Sequence, residues 1–310
     1  MSYRSSLNKR TVSDENKNAT NNHTLSSALS SGRPLLYIIL TRQRSGSTWL
    51  SDLLGIQDGI SCGGKKKIEW KRFSELMGGD DYNISDWPTY QYHMARAFNE
   101  CIEASYEDSS DPMAAGFKLM CDHHVPQKYI ENGAIFDEFA KYNLTVIHLV
   151  REAKILRYES VATMSEVIHT SNATLAQQIR EEEEMIQWDD HIVQEIKREE
   201  NSDDLWEDKL RVTPGIRYHR VAYEELLNKE EFESELFSIL SFLTKDEIKR
   251  SSMKSDSSMQ ELHKPTCVGR IEKYEEFRRI FEGTREADVC DMLDSWYEND
   301  EVESSRRVDK

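Results

Sequence analysis

The chain's 310 residues suffice for one large domain or two small ones, and 57 acidic against 40 basic side chains leave a formal net charge of −17. So acidic a surface argues against nucleic acid or an anionic membrane as principal partner, and any polyanionic ligand must be met by cations gathered at one place. No stretch approaches the roughly eighteen apolar residues of a membrane span, and no signal-peptide apolar region opens the chain. A cytoplasmic protein is therefore expected, with the Golgi lumen as the alternative if an anchor is missing from this chain.

Residues 1–33 are rich in Ser, Asn, Thr and Lys and are expected to be a disordered tail. One domain is expected over residues 34–297, followed by a flexible tail over 298–310. It opens with Leu35–Leu40, an apolar run of buried-strand length, which passes through the polar turn Thr41–Ser47 into an apolar-periodic segment from Trp49. A strand, a tight turn and a helix start together make an anion site, because backbone N–H groups and the positive end of the helix dipole converge there. Gly46 permits close backbone approach, Ser45, Ser47 and Thr48 add hydroxyls, and Arg44 adds a forked cation. The G-x-x-x-x-G-K-[ST] spacing of a nucleoside triphosphatase is absent.

Further strands are expected at Gly116–Cys121, Leu144–Val150 and Gly215–Val221, with helical patterns between them. Alternation of this kind implies a parallel sheet flanked by helices, an α/β fold. Lys118 lies on the first of these strands, and His123 and His124 lie in the loop after it. Arg151 follows the second strand, so it should project beyond the carboxyl ends of the strands, where open α/β sheets bind ligands. The charged stretch Ala162–Glu200 reads as a long solvated helix, and Phe232–Leu243 as an amphipathic one. Five scattered cysteines (Cys62, Cys101, Cys121, Cys267, Cys290) without C-x-x-C spacing suggest reduced thiols and no zinc site.

The segment RSGSTWL resembles the 5′-phosphosulfate loop of sulfotransferases that use 3′-phosphoadenosine 5′-phosphosulfate (PAPS), particularly the carbohydrate-type and bacterial branches. Two more segments fit the same family. LTVIHLVREAKILRYES is similar to its 3′-phosphate motif, with Arg151 and Ser160 in the binding positions, and Glu152-Ala153 departs from the usual Asp-Pro. KPTCVGRIEKYEEFRRIFEGT is similar to its nucleotide-clasping segment, which would make Lys264, Gly269 and Arg270 contacts to the 3′-phosphate or adenine. RYHRVAYEELL matches a strand and Y-E-D/E-L turn whose role is structural.

The resemblance implies a P-loop NTPase-like sulfotransferase fold and transfer of a sulfuryl group from PAPS to a hydroxyl of a carbohydrate, lipid or small metabolite. Arg44, Ser45, Gly46, Ser47, Thr48 and Trp49 would hold the 5′-phosphosulfate, Lys118 would add a second positive charge, and no metal is required. The acceptor needs a general base, for which His124, His123 and Glu69 are the candidates in that order, then Asp122. A nucleotide-binding protein without catalysis and a small-molecule kinase of related architecture are the alternatives. The acceptor and the oligomeric state stay open.

Overall fold

The computed structural model describes residues 33–62, 86–122, 125–162, 185–228, 230–245, 247–255 and 266–308. The first strand, β1 (Leu35–Thr41), lies at the centre of a five-stranded parallel sheet. Its alternate residues enter two different cores, Leu36, Ile38 and Leu40 on one face and Tyr37 and Ile39 on the other. A parallel strand covered on both faces has this pattern, because successive side chains point to opposite sides.

After β1 come α1 (Ser47–Gly55), β2 (Ile60–Cys62), α2 (Trp87–Asp108), β3 (Ala114–Met120), α3 (Gln127–Glu131), α4 (Ala134–Lys141) and β4 (Thr145–Val150). The chain continues through α5 (Lys154–Ala162), α6 (Asp190–Val212), β5 (Arg217–Ala222), α7 (Tyr223–Leu227), α8 (Phe232–Thr244), a 3₁₀ turn at Arg250–Ser252, α9 (Tyr274–Ile280) and α10 (Arg285–Val308). The sheet order is β2-β3-β1-β4-β5, with every neighbouring pair parallel. The expected α/β architecture is therefore present, and the strands lie within two residues of their expected bounds. Strand β2 was not foreseen: at three residues within a Gly- and Ser-containing stretch it has no apolar run to announce it.

Of the stretch expected as a helix, Ala162–Glu200, residues 163–184 lie outside the described residues, and α6 covers the carboxyl end from Asp190 and continues to Val212. Asp189 caps α6 through a 2.9 Å bond from the Ile192 N–H, and Ile186 just before it pairs in parallel with Ile271. A third core gathers Ala153 just before α5, Ile155 and Leu156 of α5, Val193 and Ile196 of α6, and Cys267, Ile271, Phe277 and Leu293 from the last segment.

The expectation of reduced thiols is overturned at two positions. Cys267 and Cys290 form a disulfide with Cα atoms 5.4 Å apart, fastening the loop before α9 to α10. The two residues are 23 positions apart, so spacing alone could not reveal the pair. Cys101 and Cys121 are buried and take part in no disulfide among the described residues, and the Cys101 thiol donates to the Gly116 carbonyl at 3.5 Å. No helix among the described residues is long and apolar enough to cross a membrane.

Candidate functional site

The connection from β1 runs toward one edge of the sheet, to β2, whereas that from β4 runs toward the other, to β5. The gap between the carboxyl ends of β1 and β4 is thus the point where the topology reverses, the usual place for a ligand in an open α/β sheet. Two segments meet there. Arg44 follows β1 and Arg151 follows β4, and Arg151 Nη1 donates to the Arg44 carbonyl oxygen at 3.3 Å.

Left-handed backbone at Arg44 (φ 64°) and Gly46 (φ 75°) flanks Ser45 and shapes the turn into α1. Gly46, at the cap position of α1, has no side chain to bond its first amides, and the first turn carries no acid. The positive end of the helix dipole is therefore not offset by a carboxylate of its own first turn. Gly46 has a second reason to lack a side chain: a Cβ there would lie 2.2 Å from the Tyr223 ring. That ring also carries the Arg151 guanidinium at 5.3 Å and receives the Trp49 ring edge-on at 6.2 Å. Trp49 in turn stacks on Phe232 at 5.7 Å, so its indole is packed between aromatic neighbours. Ser45 and Ser47 are buried. From the neighbouring strand, Lys118 Nζ donates to Thr48 Oγ1 at 3.3 Å, bringing a second cation to the helix start. Burial lowers the pKa of the Arg44 guanidinium.

The segment after β4 does not repeat this design. Its backbone amides are taken by carboxylates from elsewhere in the chain. Glu224 accepts from the Glu152 and Ala153 N–H groups at 3.0 and 3.1 Å, and Glu286 from those of Lys154 and Ile155 at 2.6 and 2.9 Å. Burial raises both carboxyls, Glu286 to about 8, while the backbone donors act in the opposite direction. The N-terminus of α5 is therefore already occupied, and an anion here has to be held by side chains. Arg151 lies beside that N-terminus, and its Nε is buried with no hydrogen-bond partner among the described residues. Ser160 lies on α5, but its side chain is outside the described residues.

A charged layer joins the first loop to α5 and α6. Arg42 Nε donates to Asp203 Oδ1 at 2.8 Å, and Lys154 pairs with the other Asp203 oxygen. One turn earlier on α6, Glu199 holds Arg157, which donates to the Gln43 carbonyl at 3.0 Å. Burial opposes ionisation of Asp203, yet Lys154 and Arg42 hold it well below the usual carboxylate range. His148, bonded to the Tyr218 hydroxyl at 3.1 Å, is pushed down to about 4 by burial, with Arg220, Lys154 and Arg42 adding to the effect against Asp203. Arg157 and Tyr223 lie within the quoted motifs, without a binding role assigned there, whereas Asp203 and Glu199 were not singled out from the sequence. Their available signal was the i, i+4 spacing of Glu199 and Asp203 in a stretch that reads as a solvated face.

Gly269 (φ 77°) and Arg270 lie in the loop fastened by the disulfide, where Asp294 accepts from the Cys267 and Val268 N–H groups at 2.8 and 3.0 Å. Gly269 is exposed, whereas Arg270 is buried and gives its carbonyl to the Ile186 N–H at 2.6 Å. The structure thus brings Arg44, Thr48, Lys118 and Arg151 together and places Gly269 and Arg270 between Cys267 and Ile271 of the third core, Gly269 exposed and Arg270 buried. Lys264, Glu69, His123 and His124 lie outside the described residues. Asp122 faces the loop with a long 3.5 Å contact from the Gln43 N–H. No group of three or more His, Cys, Asp or Glu suited to a metal occurs among the described residues. No protein-family model matches the chain, and no curated protein matches it.

Proposed function

We propose that the chain is a sulfotransferase of P-loop NTPase-like fold that uses PAPS and acts on a hydroxyl of a carbohydrate, lipid or small metabolite. The observation that carries this reading is the 3.3 Å bond between Arg151 and the Arg44 carbonyl at the topological switch point. A donor bearing a 5′-phosphosulfate and a 3′-phosphate needs two anion-holding groups within one nucleotide's reach. The start of α1 with Arg44, Thr48 and Lys118 suits the first, and Arg151, whose Nε has no hydrogen-bond partner among the described residues, suits the second.

In this reading PAPS supplies an activated sulfuryl group, transferred with adenosine 3′,5′-bisphosphate as the leaving group. Ser45, Gly46, Ser47, Thr48 and Trp49 form the loop and first turn that receive the 5′ end. Arg44 and Lys118 set fixed positive charge where negative charge gathers on the leaving oxygen, and a dry site makes that charge more effective than in water. Arg151 and Ser160 hold the 3′-phosphate, and the loop with Lys264, Gly269 and Arg270 closes over the nucleotide. His124, His123 or Glu69 takes the acceptor's proton.

Thermal denaturation tests the ligand class. Adenosine 3′,5′-bisphosphate at about 100 times its Kd stabilises the folded protein by about 2.7 kcal/mol, whereas ATP, lacking a 3′-phosphate, gives a much smaller shift. Equal shifts with ATP, or shifts that need magnesium, overturn the reading in favour of a kinase. Sulfate transfer from labelled PAPS to a panel of acceptors, followed by mass spectrometry, then separates an enzyme from a binding protein.

A further inference from the structure

We infer that Arg157, held by Glu199, is a positioning residue that orients the anion-binding loop through its backbone. This deepens the proposed function and rests on it, since it assigns the residue that aims the loop at a 5′-phosphate.

Arg157 is a buried arginine three residues into the helix after Lys154. One edge of its guanidinium is committed to Glu199 through Nε at 3.0 Å and through Nη2, and the other donates from Nη1 to the Gln43 carbonyl. A trans peptide is planar, with its C=O and N–H pointing in opposite directions. Drawing the Gln43 carbonyl toward α5 therefore turns the Arg44 N–H away from α5. Arg151 does the same to the next peptide: it draws the Arg44 carbonyl and turns the Ser45 N–H away.

Two successive amides are thus aimed by two arginines of one segment, across the left-handed residue Arg44. A non-glycine residue in that conformation is strained and persists where its surroundings hold it. The holding contacts are visible. Asp203 anchors the Arg42 side chain, Arg157 the Gln43 carbonyl and Arg151 the Arg44 carbonyl, one contact for each of three consecutive residues. Glu199 and Asp203 lie one helical turn apart on α6, and Lys154 and Arg157 almost one turn apart on α5, so the two helices present matched layers to the loop.

The test replaces the pair by apolar residues of similar length, Arg157→Met with Glu199→Met, a change that need not destabilise a fold when neither charge is left behind. Titration calorimetry then compares adenosine 3′,5′-bisphosphate with adenosine 3′-monophosphate. The double variant is expected to lose about tenfold or more in affinity for the bisphosphate, the weight of a hydrogen bond to a charged group, and to bind the 3′-monophosphate like the wild type. Wild-type affinity for both ligands overturns the inference, and so does an equal loss for both, which marks general damage. A wild-type protein that does not bind the bisphosphate overturns the sulfotransferase reading together with this role. Should the double variant fail to fold, Arg157→Lys keeps a cation beside Glu199 without the fork that reaches Gln43. The same split between the ligands is expected there, and its absence overturns the inference.

Discussion

Arg151 Nη1 lies 3.3 Å from the carbonyl oxygen of Arg44, a residue 107 positions earlier in the chain, and this bond ties together the ends of the two central strands. The contact leaves the two arginines with different duties. Arg44 sits at the mouth of α1, while Arg151 rests on the Tyr223 ring with Glu224 close by.

Replacing these arginines should separate binding from catalysis. Arg151→Ala is expected to raise KM for PAPS and weaken bisphosphate binding in parallel, because the 3′-phosphate is present in ground and transition states alike. Arg44→Ala should instead lower kcat by about a hundredfold or more, the scale for a group that meets developing charge. Steady-state kinetics with labelled PAPS decides, and a pure KM effect at Arg44 refutes its assignment.

Asp203→Asn leaves Lys154 and Arg42 buried beside a neutral amide. A loss of roughly 3–5 kcal/mol is expected, as for breaking one side of a buried ion pair. The folded-state value of Asp203 lies below its unfolded one, so its contribution is present above about pH 4 and is lost as pH falls further. Urea denaturation of both proteins at pH 7 and pH 3 should show a smaller difference at the lower pH. An equal difference at the two values would argue against the ion pair as its source.

His148 works over a different pH range. Its folded value near 4 lies below the unfolded value near 6.5, so the fold prefers the neutral ring. Stability from this group is complete above about pH 6.5 and declines as pH falls through 4, by about 3 kcal/mol in all. Glu286, raised to about 8, acts in the opposite sense by destabilising as pH rises from about 4.5 to 8, so only a comparison isolates the histidine. His148→Gln, which retains a polar partner for Tyr218, should lack the decline. Parallel pH profiles for wild type and variant would show that the ring does not titrate in this way.

The disulfide makes a chemical prediction. Cys267 and Cys290 should resist alkylation in denaturant until a reductant is added. Cys290→Ser should lower stability by about 2–4 kcal/mol, the usual weight of a native disulfide. Peptide mass mapping and denaturant titration check the two parts. Ready alkylation of both thiols without reductant would show that the bond does not form in the protein.

Much of the fold was legible in the chain because burial imposes period and length. Leu35–Leu40, Leu144–Val150 and Phe232–Leu243 are apolar runs whose composition already says strand or helix, and the structure places them within a residue or two. The candidate anion loop was legible for a related reason: Arg44 to Thr48 are neighbours in sequence, so a turn alone brings them together. Lys118 and Arg151 were readable as strand-end residues, which a parallel sheet must deliver to the same edge.

What the sequence could not decide was pairing across distance. Glu286 caps α5 from 131 or more positions away, and Glu199 and Asp203 lie in a charged stretch indistinguishable from a solvated helix until α5 packs against it. A carboxylate's duty depends on which cations and amides the fold sets beside it, and local periodicity carries no record of that choice. The sequence by itself determined four of the five strands and the run from Arg44 to Thr48 in the first loop. Only the tertiary structure decided that the start of α5 is filled by the protein's own carboxylates, Glu224 and Glu286.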